Sequence, residues 1–122
     1  MPAQLNHTIV YARDGEASAA FLAEILGLAA PTRQGKFTVV ATDNRVSLDF
    51  TNTPGEVRPQ HYAFLVSEAE FDEIFGRIRA RSLPYWADPG QSLPGEINRW
   101  NGGRGVYFSD PNGHLLEILT RP

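Results

Sequence analysis

The chain has 122 residues, 42% of them hydrophobic, and a formal net charge of −3. That is the length of one domain with a modest core. Its Lys and Arg are scattered, which speaks against a nucleic-acid or anionic-membrane partner. With no cysteine, disulfides, thiolate metal sites and a cysteine nucleophile are excluded. The N-terminus shows no signal-peptide pattern and no apolar run reaches membrane-spanning length, so the expected location is cytoplasmic.

Residues 5–11 alternate like a strand and contain His7. Asp14 suits the N-cap of a following helix. In that helix Ala17, Ala20, Phe21, Ile25 and Leu28 fall near a 3.6-residue period, and Gly27 suits its stop. Residues 37–42 and 45–51 read as two strands joined through Asp43-Asn44, a hairpin signal. Residues 51–60 are a linker, rich in Pro, Gly and polar residues.

The pattern then restarts. Residues 61–66 form a strand beginning at His61, and Ser67 with Glu70 gives a capping-box signature. Phe71, Ile74, Phe75 and Ile78 define one helical face. Residues 84–86 begin another strand, and 87–103 form a long irregular stretch. Residues 105–120, GVYFSDPNGHLLEILT, close the chain as two strands around Asp110-Pro111-Asn112-Gly113, residue types that suit a type I turn.

The halves align. His7 falls on His61, Ala20 on Ile74 and Phe21 on Phe75; later Asp49 falls on Glu117 and Phe50 on Ile118. The change of register between the two alignments fits an insertion within 87–103. The chain therefore reads as one domain, 1–122, made of two modules of strand–helix–strand–strand–strand, at about 4–52 and 60–121.

Glu117 carries the chemistry of this pattern. It shares a strand face with Leu115 and Leu119, and an isolated buried carboxylate is costly unless a cation pairs with it. An Arg or a metal ion satisfies that need equally well from this strand alone. Two histidines at repeat-equivalent positions favour the metal. Two His and one carboxylate make a common divalent-ion set for Fe, Mn, Ni, Zn or Co, with positions left for water or substrate.

With the DPNGHLLEI run, this placement of His7, His61 and Glu117 resembles the vicinal oxygen chelate superfamily, which includes glyoxalase I, fosfomycin-resistance thiol transferases, extradiol dioxygenases and bleomycin-resistance proteins. The resemblance spans essentially the whole chain. It implies an α+β fold of two βαβββ modules forming a half-open barrel around a metal cup, a homodimer, and metal ligands at His7, His61 and Glu117. Asp49 takes the place of a fourth ligand, usually Glu, in glyoxalase-like members; one methylene shorter, it ligates directly, or else orients a bound water or pairs with an Arg, and it or a bound water is the candidate base. Tyr107, one strand from Glu117, is a candidate to hydrogen-bond a metal-bound oxygen, with core filling as the alternative. Arg99, Trp100 and Arg104 lie in the long loop and are candidates to cover and hold a substrate. His114 sits on the face opposite Glu117, a poor place for a ligand. That leaves no further His for the acid–base role extradiol dioxygenases require, which weighs against catechol cleavage. The implied activity is a metal-dependent lyase, isomerase or thiol transferase acting on a small oxygen-chelating organic molecule. The alternative is a metal-free, bleomycin-resistance-type ligand-binding protein.

Overall fold

The structure, a computed structural model, describes residues 2–122. Contacts divide the chain into two units that meet in sequence at Arg58 and Pro59. The first contains β1 (His7–Ala12), α1 (Gly15–Leu26), β2 (Thr32–Gln34), β3 (Phe37–Ala41) and β4 (Ser47–Asn52). The second contains β5 (His61–Leu65), α2 (Glu68–Ala80), β6 (Tyr85–Trp86), β7 (Gly105–Ser109) and β8 (Leu115–Leu119). Each unit holds one open four-stranded sheet, in the order β1-β4-β3-β2 and β5-β8-β7-β6. The first strand of each pairs parallel with the last, and the other pairs are antiparallel. A parallel pair needs a crossover, and the helix supplies it. These are two copies of one βαβββ topology, the α+β fold expected.

Local chemistry sets the helix ends. The Asp14 side chain accepts from the Ala17 amide, and Gly27 closes α1 in the left-handed conformation, φ 71°. Ser67 and Glu70 form both halves of a capping box at α2. The buried face of α2 contains Phe71, Ile74 and Ile78 as expected. That of α1 is rotated from the expected one: Ser18, Ala19, Leu22, Ala23 and Ile25 are buried, whereas Ala17 is exposed and Phe21 half-buried. Small residues let the helix lie close to its sheet, so the packed stripe follows size rather than summed hydrophobicity.

One face of each sheet carries the core. In the first unit it is Val10, Ala12, Val40, Leu48 and Phe50; in the second, Val106, Phe108, Leu116 and Ile118. Strand alternation puts His7, Ile9, Tyr11 and Asp49 on the other face of the first sheet, and His61, Tyr107 and Glu117 on the other face of the second.

The register equates the two sheets residue by residue. His7 pairs with Ser47 and Ile9 with Asp49; His61 pairs with Leu115 and Ala63 with Glu117. The largest departure is in the connection before the third strand. Gly35 and Lys36 join β2 to β3, whereas residues 87–104 join β6 to β7.

Candidate metal centre

In the second unit, β5 and β8 bring His61 and Glu117 together. His61 Nε2 lies 3.1 Å from Glu117 Oε1, and His61 Nδ1 lies 3.1 Å from the Leu115 carbonyl. A carbonyl oxygen only accepts, so Nδ1 carries a proton. The Nε2 atom then faces a carboxylate oxygen. Two acceptors face each other unless a proton or a metal cation satisfies both. Glu117 is 8% exposed, so water gives it little help, and its partner is a histidine rather than an arginine. This donor set fits a divalent ion: an imidazole fixed by its second nitrogen, beside a carboxylate.

Tyr107 completes the second unit's cluster. It is the register partner of Glu117 on β7 and hydrogen-bonds its carboxylate. Its ring stacks on His61, centroids 5.9 Å apart and planes 25° apart. Burial, then the charge and hydrogen bond of Glu117, push the phenol pKa up to about 12. Tyr107 is therefore a neutral phenol and a hydrogen-bond donor at neutral pH. Trp100 lies against it at 6.1 Å and is 50% exposed.

In the first unit, His7 is exposed and its Nδ1 lies 2.7 Å from Asn6 Oδ1. In both histidines, then, Nδ1 faces an oxygen of the protein, Asn6 Oδ1 for His7 and the Leu115 carbonyl for His61. Asp49 is half-buried and accepts from Ser47 Oγ at 2.8 Å. Among the described residues, no three His, Asp or Glu side chains gather as a metal-holding group. The structure joins two of the expected ligands, His61 and Glu117, and places His7 on the matching strand of the other unit.

The long loop departs from a simple lid. Asn98 is buried; its Nδ2 donates to the Ala87 carbonyl at 2.8 Å, and its backbone pairs both ways with Gly105. A Cβ on Gly105 would sit 2.8 Å from the Asn98 side chain, so glycine is what permits this approach. Gly95 donates to the Tyr85 carbonyl and Ala87 to that of Leu93. The loop is thus stitched to β6 and β7. Arg99 and Trp100 are exposed upon it. Arg104 is engaged elsewhere. Its guanidinium donates to Glu68 Oε1 (2.7 Å), Asp72 Oδ1 (2.9 Å) and the Glu68 carbonyl, and lies 4.4 Å over the Phe71 ring. A fork committed to one helix this way is a scaffold clamp, so the guanidinium is engaged on α2 and not turned to the His61–Glu117 pair.

His114 is 1% exposed, and its Nδ1 accepts from the Gln60 amide at 2.9 Å. It is a fold residue on the far side of the sheet, as its place in the sequence indicated.

A family model described as the Glyoxalase/Bleomycin resistance protein/Dioxygenase superfamily matches residues 4–118. The chain belongs to this superfamily. A glyoxalase-superfamily relative, "Glutathione transferase FosA" of Serratia marcescens, is 30% identical over 120 residues, covering 93% of this chain and 78% of that protein. Among solved structures, "Oxidase ChaP-H1" is 68% identical with a TM-score of 0.98, covering 99% of this chain and 98% of its own. "Oxidase ChaP-H2" is 63% identical with a TM-score of 0.97, covering 100% and 96%. These superfamily relatives are named as enzymes, and their kinship supports a metal-dependent enzyme here.

Proposed function

We propose that the protein is a metal-dependent oxidase of the glyoxalase superfamily, acting on a small organic molecule that chelates the metal through oxygen. The observation that carries the metal is the His61–Glu117 contact, an imidazole nitrogen 3.1 Å from a buried carboxylate oxygen on neighbouring strands. The reaction class rests on the two oxidases that share most of this chain's sequence. Thiol transfer, favoured by the FosA relative, is the second reading.

His7, His61 and Glu117 would hold the ion, His7 coming from the same chain or from a second copy. A bound redox-active ion, Fe or Mn among the candidates, supplies Lewis acidity and a route for electrons from substrate to dioxygen; Zn supplies only the first. The Leu115 carbonyl fixes the His61 ring, and Tyr107 steadies the Glu117 carboxylate by donating to it. Tyr107 also presents a proton at the site. Asp49 is the candidate base, with Ser47 on one of its oxygens. Trp100, exposed beside Tyr107, covers the organic ligand, and Arg99 on the same loop meets its polar end. A cytoplasmic homodimer is part of the proposal. Each sheet leaves edge strands, and Ile9, Tyr11 and Leu65 stand exposed on two of them, β1 and β5.

The test uses protein purified without a histidine tag. About one divalent ion per chain is expected, because three side chains fill half an octahedron. Protein loaded with Fe(II) under anaerobic conditions should consume dioxygen when given members of a panel of small phenols and hydroxyketones. A folded protein that takes up none of Fe, Mn, Co, Ni or Zn at micromolar concentration would favour the metal-free binder. Conjugation of glutathione to fosfomycin, without dioxygen uptake, would install the thiol-transfer reading instead.

A further inference from the structure

The turn before β8 does more than reverse the chain. Asp110 Oδ1 accepts from the amides of Asn112 and His114, both at 2.8 Å, and Gly113 closes the turn on the Asp110 carbonyl. This fixes the backbone that carries His114 into the core. His114 then touches both neighbours of His61. Its Nδ1 accepts the Gln60 amide at 2.9 Å, and its ring meets Tyr62 edge-on at 5.7 Å. The next residue, Leu115, donates its amide to the Gln60 carbonyl at 2.8 Å and accepts from His61 Nδ1 at 3.1 Å. His61 is half-exposed on the opposite face of the strand. Tyr107 stacks on one side of its ring, and the point from which the ring is aimed is set by the backbone beneath it.

We propose that His114 is a positioning residue for His61. Through Gln60 and Tyr62 it sets the backbone from which His61 Nε2 is aimed at Glu117, and Leu115 sets the ring's rotation. The inference rests on His61 being a metal ligand, as proposed above. The Leu115 carbonyl is the outer partner of the His61 ring, and loss of such a partner weakens metal binding by about 10- to 100-fold; His114 holds the backbone that carries the ring toward it. The chemistry asked of His114 is specific: an acceptor at the δ position inside a dry core. Asn places an oxygen close to that position. Gln places its oxygen one methylene further out, and Leu has no acceptor.

The experiment compares tag-free wild type with H114N, H114Q and H114L. Each is titrated with Co(II), read by its visible absorption bands, with a thermal melt of the metal-free protein alongside. The proposal expects H114N to keep the wild-type affinity to within a few-fold and the same spectrum. H114Q and H114L should bind at least about tenfold more weakly with altered bands. A folded H114L with wild-type affinity and spectrum overturns the proposal. If H114L does not fold, H114N and H114Q decide, and equal affinities in those two overturn it. Wild type that binds no Co(II) removes the metal reading by itself. Positioning is then judged from the hydrogen-bonded Nδ1–H signal of His61 in proton NMR of the metal-free proteins. The proposal expects that signal in wild type and H114N and its loss in H114Q. The same signal in all three overturns it.

Discussion

The two units share a backbone and differ in what they hang on it. One row across the first sheet reads Ile9, Asp49, Val39, Thr32; the matching row across the second reads Ala63, Glu117, Tyr107, Trp86. The carboxylate is one methylene longer in the second unit. Its neighbour is a phenol that donates to it rather than a valine. In the first unit the donor is Ser47, whose counterpart Leu115 has only a backbone carbonyl to offer, and that carbonyl holds His61. The same frame is used in one case to tie a carboxylate to its own strand and in the other to press it against an imidazole. Duplicated scaffolds teach that register is cheap to keep while chemistry is set by single substitutions on one face.

The largest expected effect breaks that comparison directly. Glu117→Ala should lower divalent-metal affinity by more than about 100-fold, since it removes a ligand and leaves His61 Nε2 without its partner. Asp49→Ala, at the equivalent position, should lower it by only about tenfold, the low end for loss of an outer contact. Isothermal titration with Mn(II) separates the two. Equal losses would mean that Asp49 ligates and that the units are chemically alike.

The second effect concerns the connections, Gly35-Lys36 in one unit and residues 87–104 in the other. An inserted loop that served only as a cover would leave stability alone. Asn98→Leu should instead cost about 2 kcal/mol, because the buried Ala87 carbonyl loses its donor. That corresponds to roughly 10 °C in Tm. A melt within a degree of wild type would return the loop to the role of a free lid.

What was legible in the sequence divides along the same lines. Signals completed within a few residues were readable: the Asp14 cap, the Ser67–Glu70 box, Gly27 and the turn at Asp110–Gly113. The two modules were readable too, because the internal alignment puts His7 and His61 on matching strands, β1 and β5, and Asp49 and Glu117 on another matching pair, β4 and β8. β2 escaped notice because Thr32, Arg33 and Gln34 are all exposed; a polar edge strand has no alternation to detect. The buried stripe of α1 was misplaced because Ser18 and Ala19 pack by being small. Arg104 lies among loop residues that the sequence offers to a ligand, and nothing local marks Asn98 as a core residue. Their partners, Ala87, Glu68 and Asp72, are far enough along the chain that no local pattern connects them.

The smallest effect sharpens the comparison at the helices, where each unit has an arginine clasping the start of its helix. Arg33 meets Glu16 at 2.9 Å with both side chains more than half exposed. Arg104 meets Glu68 and Asp72, is only 20% exposed, and covers the Phe71 ring. Exposed pairs contribute little, so Arg33→Met should leave Tm within about 1 °C. Arg104→Met removes two pairs and a cation–π contact and should lower Tm by about 5 °C. Metal affinity should not change, because the clamp lies on the helix and not at Glu117. The pH dependence adds a second reading. The Glu68 carboxyl is held below its usual range, first by its hydrogen bond with Thr120 and then by Arg104. A lowered folded-state pKa adds stability above the unfolded value, and that stability is lost as pH falls through the folded one. Between about pH 5 and pH 3 the Tm of wild type should therefore fall more steeply than that of Arg104→Met, so that the gap between them narrows in acid. A gap that stays constant with pH would assign the contribution of Arg104 to its stacking on Phe71 and not to its charge.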